Sequence, residues 1–428
     1  MKKNILVFPC GSEIGLEICR SMRLSTHFTL WGGSSVADHG KFEFVNYIDG
    51  LPMVYEEDFV QKLNDVIRRY QIDLIMPAYD SVIDELAEHR DEVACRIVMS
   101  PSETCRIACS KGETYRRLAG VVPVPRVYGK DEDMDMPVFL KPDRGCGSRG
   151  CRRAESPEEV RFEMARNPSL LALEYLPGRE YTVDCFTDRR HRLLYVQGRC
   201  RARISNGISV NSHLVDDPRF HDLAVRINAA IEFRGAWFFQ VKERADGELV
   251  LMEIAPRIAG TMELNRGLGV NLPLLSAFDA CDVDVSILPN GLDVVIDRAL
   301  HSRFRTNAVY DTVYVDLDDT LVVDGKVNSS LMAFLYQARN EQKRIVLLSR
   351  HAKDIGETLS ASCISPALFS EVVHLKDRQD RKSSHVRKGE KAVFIDDSFS
   401  ERLDVLKSCG VPSFGPESVD VLQDGRSV

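Results

Sequence analysis

Three carboxylates, Asp316, Asp318 and Asp319, stand within four positions at the end of the alternating apolar run in VYVDLDDTLVVDG, residues 313 to 325. Carboxylates this close repel one another, so a chain that crowds them at the mouth of a buried strand needs a compensating charge. A divalent cation supplies one and inverts the local charge logic. The carboxyl end of a parallel strand is also where open α/β sheets bind ligands. A second acidic pair, Asp396 and Asp397, follows the apolar run AVFI. Elsewhere Lys141 closes an apolar run in PVFLKPDRGCGSRGCR, ahead of glycines at 145, 147 and 150 and of Ser148. Such a loop lets backbone amides approach phosphate oxygens with no Cβ in the way, while the lysine adds a point charge. No GxxxxGK[ST] loop is present, so this is not a Walker A arrangement.

Two further stretches follow the glycine-rich loop. LLALEYLPGREYTVDCF reads as an apolar strand, a turn through Pro177 and Gly178, and an alternating strand from Glu180. WFFQVKERADGELVLMEIAPRIAG reads as a hairpin with Gln240 on one strand, a DG turn, and Glu253 and Arg257 at and beyond the other. This order of motifs, over about residues 1 to 290, resembles the ATP-grasp superfamily, especially its carbamoyl-phosphate synthase large-subunit-like carboxylate-amine ligases. The resemblance implies that ATP and Mg2+, with Mn2+ as an alternative, are the cofactors. It implies that Lys111 (in SKGETYRRL) and Lys141 contact the ATP phosphates under the loop of Gly147 and Ser148, and that the backbone of Glu174, Tyr175 and Leu176 meets the adenine. It further implies that Glu180 holds the ribose, Gln240 and Glu253 bind metal, and Arg257 steadies an acyl phosphate. One departure stands out: where the family reads E-[ILV]-N-P-R this chain reads EIAPR, so Ala255 replaces a metal-ligating asparagine. Magnesium accepts water in place of a lost ligand, which weakens such a site without abolishing it.

The aspartates resemble a second family. DLDDT, the serine of LLS at 349, a following lysine and FIDDS at 394 to 398 together resemble the haloacid dehalogenase (HAD) superfamily of aspartate-nucleophile phosphatases. That resemblance makes Asp316 the nucleophile and Asp318 the acid and base. It gives Asp316, the backbone carbonyl of Asp318, Asp396 and Asp397 to magnesium, and Ser349 to the transferring phosphoryl group. Lys376, Lys382 and Lys388 all precede FIDDS; Lys382 is favoured because KSSHV opens a helix that would aim it at the phosphoryl group. Only 28 residues separate Thr320 from Ser349 and 32 separate Ser349 from Lys382, which leaves no room for a cap domain. Closure of the site is therefore expected from a large substrate, from the ligase domain or from a second subunit.

The elements that must position these residues are α/β throughout. NILVFP, HFTLWGG, IDLIMPAYD and CRIVMSP read as buried strands, with amphipathic helices at 58 to 70 and 81 to 94, the pattern of a doubly wound parallel sheet. Three domains are expected: an N-terminal Rossmann-like domain over 1–102, an α+β ATP-grasp domain over 103–308, and a small uncapped Rossmannoid HAD-like domain over 309–428. The turn GSEIG lacks the second glycine of a dinucleotide fingerprint and reads as an ordinary strand-to-helix connection. Arg201, Arg203 and the SNGIS turn lie on strands that face where an acceptor carboxylate would bind, although basic strands are as often ordinary hairpins.

Composition limits the classes. A chain of 428 residues, 44% hydrophobic, supports several cores, and a net charge of -8 argues against nucleic acid as a partner. No run of eighteen apolar residues and no secretory apolar core at the start appear, so a cytoplasmic protein with no membrane partner is expected. The 12 cysteines include no CxxC pair and read as reduced thiols. The expected function is bifunctional: a ligase joining a small-molecule carboxylate to an amine, and a phosphatase acting on a phosphorylated metabolite of the same pathway. The alternative keeps the phosphatase and treats the ATP-grasp part as a degenerate nucleotide- or substrate-binding module, with Ala255 in its favour. A homodimer is the default for an enzyme of this size.

Overall fold

The computed structural model describes residues 2–129, 132–145, 149–205, 208–377 and 379–426, so Gly147, Ser148 and the turn residues Asn206 and Gly207 lie outside the described residues. The chain divides into two compact units, Met1–Leu300 and His301–Val428. Among the described residues no helix is long and apolar enough to cross a membrane, and the described cysteines are free thiols.

The first unit opens with five parallel strands in the spatial order Asn46–Asp49, Phe28–Ser34, Lys3–Phe8, Leu74–Pro77, Arg96–Ile97. Flanked on both sides, the Lys3–Phe8 strand is buried from Ile5 onward, as its continuous apolar run requires. The GSEIG turn leads into helix Glu13–Met22, whose first turn is capped by Ser12 Oγ accepting from the Gly15 amide at 3.0 Å. A Cβ on Gly15 would sit 2.5 Å from the Cys10 carbonyl, so this glycine serves helix-on-turn packing.

A small antiparallel sheet follows, in the order Val127–Tyr128, Leu170–Glu174, Val138–Pro142, Arg152–Ala154. The largest sheet has six antiparallel strands in the order Leu249–Ala255, Gly235–Glu243, Glu180–Thr187, Leu193–Ser205, Ile208–Val215, Val295–Asp297. Its register sets Glu253 opposite Gln240, Gln240 opposite Thr182 and Thr182 opposite Arg199, one lateral row across four strands. One face packs under helix Pro218–Ala230, with Trp237 stacked on Phe233 at 3.9 Å between ring centroids. Residues of the other face, among them Phe238 and Ala255, share a core with Ile5, Val7, Ile14 and Ile18 of the first sheet and its helix. That common core is why the segments 1–102 and 103–300 form one compact unit.

The lateral row ends in a buried ionic network. Arg199 meets Asp184 through two hydrogen bonds of 2.8 and 3.2 Å, the Asn265 amide donates to Asp184 at 2.8 Å, and the Tyr195 hydroxyl donates to Asn265 at 2.9 Å.

The second unit holds five parallel strands in the order Glu371–His374, Arg344–Ser349, Thr312–Val315, Ala392–Ile395, Ser413–Phe414. The first strand in the chain is central, with later strands added on either side, so the chain order reverses beside it and opens a crevice at its carboxyl end. The sheet separates two apolar cores, one under helix Ser329–Asn340 and one under helix Phe399–Cys409. The intervals 321–348 and 350–381 hold a two-strand hairpin, helices and a sheet strand.

Removing one member of the buried pair should be costly, because the other charge is left uncompensated. Arg199→Met is expected to destabilise the first unit by about 3–5 kcal/mol, and adding Asp184→Asn should recover most of the loss. Tryptophan fluorescence during urea denaturation reads this unit selectively, since Trp31 and Trp237 are the only tryptophans of the chain.

Candidate functional site

In the first unit a cavity of about 410 Å³ is lined by Lys111, Lys141, Glu174, Tyr175, Leu176, Glu180, Gln240, Glu253 and Arg257. The structure thus gathers on one cavity all the described residues expected to handle ATP. Strand alternation explains part of this: Gln240 and Glu253 are cross-strand partners and face the same side. Several of the charged groups are met by opposite ones. Lys141 Nζ donates to Glu253 at 3.0 Å, and Arg201 bridges Glu180 and Gln240, donating to Gln240 Oε1 at 3.0 Å. Arg257 pairs with Asp80, its Nη2 lying 2.8 Å from Oδ2, and Arg298 donates to Glu13 at 2.7 Å. Lys111 instead holds the base of the glycine-rich loop, donating to the carbonyls of Asp143 at 3.2 Å and Gly145 at 2.9 Å.

The electrostatics follow. Burial, then the charge of Lys141, lowers the Lys111 ammonium below its ordinary value. Burial alone would raise Glu253, but Lys141 and Lys111 outweigh it and hold the carboxyl below the usual range. Lys141 is raised: burial opposes its charge, and Glu253 overcomes that. Gln240 and Glu253 offer the hard oxygen donors that Mg2+ takes, and an ion between them would replace the Arg201 and Lys141 contacts. Among the described residues Glu253 belongs to no metal-sized cluster of three or more acidic, His or Cys side chains.

Sequence reading missed several cavity residues. Asp80 and Glu13 come from the first sheet's helices, Arg298 from beyond the last strand, and Thr182, whose buried hydroxyl makes no hydrogen bond, from mid-strand. Alternation from Glu180 could have found Thr182; nothing local signals the others. Arg203 pairs with Asp297 at 2.9 Å and is not among the cavity residues.

In the second unit the strand ends converge as the aspartate pattern suggests. Oxygens of Asp316, Asp396 and Asp397 lie within 4.8 Å of one another. Lys382 Nζ sits between two of them, 2.8 Å from Asp316 and 2.6 Å from Asp396. It lies on a short turn of helix, Lys382–His385, and is buried, whereas Lys376 and Lys388 are exposed. The Asp396 carboxylate also accepts from the Ser398 amide at 2.8 Å. Ser349 ends the neighbouring strand with its hydroxyl buried and in no well-aligned hydrogen bond, though close enough to favour ionised Asp316. Asp319 does not join the cluster: it turns the loop with φ of 52°, a left-handed conformation that Asp tolerates. Thr320, which sequence reading left without a role, locks this loop to the acidic pair by accepting from the Asp397 amide at 2.9 Å.

Burial raises Asp316 and, helped by Asp316, pushes Asp396 up to about 6, against the opposing pull of Lys382. Burial works against the Lys382 charge, but the two aspartates outweigh it and raise its pKa. Three carboxylates at this spacing fit a divalent ion such as Mg2+.

Residues 166–295 match the family described as ATP-grasp in the biosynthetic pathway with Ter operon. No curated protein matches the sequence. Among solved structures the chain resembles a Campylobacter jejuni biotin carboxylase at 16% identity and a TM-score of 0.58, over 67% of this chain and 72% of that one. It resembles N5-carboxyaminoimidazole synthetase from Staphylococcus aureus at 14% and 0.55, over 68% and 80%. An L-amino acid ligase from Bacillus licheniformis is similar at 13% and 0.54, over 65% and 74%. At such identities the likeness is one of fold, and the ATP-grasp family match lies within the first unit.

A proton and a divalent cation would compete for Asp396, whose carboxyl is pushed up to about 6. Apparent Mg2+ affinity of the second unit should weaken about tenfold per unit as pH falls below about 6. Calorimetric titration between pH 5 and 8, with Asp396→Asn as control, checks this; a decline that sets in only near pH ~4 would mean an ordinary carboxylate.

Proposed function

We propose that the chain is a bifunctional biosynthetic enzyme. Its ATP-grasp half, 1–308, joins a carboxylate to an amine with release of ADP and phosphate, and its uncapped HAD-like half, 309–428, is a Mg2+-dependent phosphatase for a precursor or product of the same pathway. The observation that carries the first half is the convergence of Lys111, Lys141, Glu180, Gln240, Glu253 and Arg257 on one cavity. The second half rests on Lys382 wedged between Asp316 and Asp396 at the central strand's end.

A carboxylate is a poor electrophile until it receives the γ-phosphoryl group of ATP; the resulting acyl phosphate is open to attack by an amine. Lys111 and Lys141 set positive charge against the phosphates, and Arg257 steadies the acyl phosphate. The backbone at 174–176 lines the adenine side, and Glu180 the ribose side. In the second half Asp316 attacks phosphorus and Asp318 gives its proton to the leaving oxygen. Asp318 then takes a proton from water, which displaces phosphate from Asp316. Lys382 and Ser349 hold the phosphoryl oxygens. Mg2+, when bound, neutralises phosphoryl charge; Gln240 and Glu253 would hold it in the first half, and Asp316, Asp396, Asp397 and the Asp318 carbonyl in the second. The working setting is the cytoplasm, with a homodimer as the expected assembly.

A second reading keeps the phosphatase and makes the first unit a nucleotide- or substrate-binding module. Ala255, buried in the shared core and without a ligating atom, favours it.

Incubation with ATP, Mg2+ and panels of carboxylates and amines should release ADP only with a true pair, and Lys141→Ala should cut that rate by about 10²-fold or more. If nucleotide binds but no pair ever stimulates ADP release, the second reading holds. Asp316→Asn should lower phosphate release from an aryl phosphate by at least about 10³-fold; unchanged turnover would remove the phosphatase from both readings.

A further inference from the structure

Asp318, the proposed acid and base of the second unit, is exposed, as Asp397 is, whereas Asp316 and Asp396 are buried. Its side chain retains 50% of its accessible surface, and 28 and 32 residues are too short as intervals to carry a cap over it. A carboxyl group that must deliver a proton to one leaving oxygen needs a fixed orientation, because general acid catalysis depends on hydrogen-bond alignment at the reacting atom. The structure supplies that orientation from the adjacent strand end. His351, two residues past Ser349 and nearly buried, sets Nδ1 2.9 Å from both oxygens of Asp318. Among the described residues its ring is the only hydrogen-bond partner of that carboxylate.

The ring is itself fixed at both ends. Nε2 lies 2.7 Å from the hydroxyl of Thr358 in helix Ile355–Ala361, and His374 Nε2 donates to the His351 carbonyl at 2.7 Å from the next strand out. A carboxylate only accepts, so Nδ1 carries the hydrogen toward Asp318, and in the neutral ring Nε2 accepts from Thr358. Three successive strand ends therefore form a chain, His374 to His351 to Asp318, that stops at the carboxylate and leaves its outer side open to a leaving group.

Building on the phosphatase reading, we infer that His351 is a positioning residue: with Thr358 behind it, it aims the Asp318 carboxyl at the leaving oxygen, a task the uncapped fold leaves to the sheet's own loops. Two steps depend on it. In the first, the Asp316 carboxylate forms a bond to phosphorus, the bond from phosphorus to the leaving oxygen breaks, and the Asp318 proton passes to that oxygen. In the second, Asp318 takes a proton from water, the water oxygen bonds to phosphorus, and the aspartyl-phosphate bond breaks, returning Asp316 as carboxylate. A leaving group that departs readily as an anion needs no proton in the first step, whereas an alkoxide does.

The test is the first-turnover rate of the full chain with Mg2+, measured by rapid quench with 2,4-dinitrophenyl phosphate and with a simple alkyl phosphate. His351→Ala should slow the alkyl ester's first turnover by about 10- to 100-fold at little change in KM, while the dinitrophenol burst keeps its rate and only the later turnovers slow. His351→Asn, whose side-chain amide can donate from the Nδ1 position, should recover much of the alkyl rate, and His351→Ala should add little in an Asp318→Asn background. Equal slowing of both first turnovers by both His351 variants, or no slowing of either, would overturn the inference. Loss of the positioning role leaves Asp316→Asn inactive; if Asp316→Asn itself retains both activities, the phosphatase reading has failed instead.

Discussion

Like charges are crowded in both units of this chain, and the fold sets an opposite charge against most of them. Two unit charges of one sign 4 Å apart cost about 4 kcal/mol at an effective dielectric of 20. The cations that the first unit turns toward one cavity include Lys111, Lys141, Arg201, Arg257 and Arg298. Four of them find carboxylates there, in Glu253, Glu180, Asp80 and Glu13, and Lys111 finds two backbone carbonyls. The second unit has the inverse problem, three carboxylates, and solves it with one ammonium group placed between Asp316 and Asp396. Such pairings are exchangeable. Phosphate oxygens can take the place of a carboxylate beside an ammonium, and a divalent cation the place of an ammonium beside carboxylates, with little change in the local charge balance.

The pairs are made by elements far apart in the chain. Asp80 lies 177 residues before Arg257, and Glu13 lies 285 residues before Arg298. Both acids stand at the first turn of helices that pack on the parallel sheet, and that sheet shares a core with the face of the six-stranded sheet behind the cavity. Packing density thus fixes the charge geometry: interiors are close-packed, so a shift of the first sheet against the second would be felt at both ion pairs. The common core is a positioning device for the cavity as well as a source of stability.

This division explains what could be read from the sequence and what could not. Periodicity marked the strand ends, so residues near them were legible: Lys141 closing one strand, Gln240 and Glu253 on the two strands of a hairpin with a DG turn, Asp316 and Asp396 after two buried runs. The irregularity between Gln240 and Val241 that sets Gln240 opposite Glu253 left no local signal. Short-range helix geometry also sufficed to favour Lys382 among three lysines. Partners supplied by tertiary packing left no local trace. Asp80 and Glu13 look like ordinary first-turn acids, Arg298 like linker charge, and His351 like one more polar residue in a loop. Asp319 stands beside the reactive carboxylates in the sequence without a role of its own, and its left-handed backbone shows that it turns the chain.

The departure at Ala255 follows from the same packing. Along its strand Glu253 and Ala255 point to one side, the first at the cavity and the second into the core where Phe238, Ile258 and Ala259 meet the first sheet. An asparagine here would bring an amide into that apolar contact, and a buried amide without partners costs about 1–3 kcal/mol. The alanine therefore suits a tighter junction between the two sheets, at the expense of one oxygen donor. Under the proposed reading a metal at Glu253 must complete its shell with Gln240, water and phosphate oxygens. Magnesium tolerates such a shell, since it gives up water reluctantly and commonly binds through one or two protein groups plus the phosphates of its substrate. Metal retention in the first unit would then depend on nucleotide, whereas under the same reading the three carboxylates of the second unit would hold an ion without it.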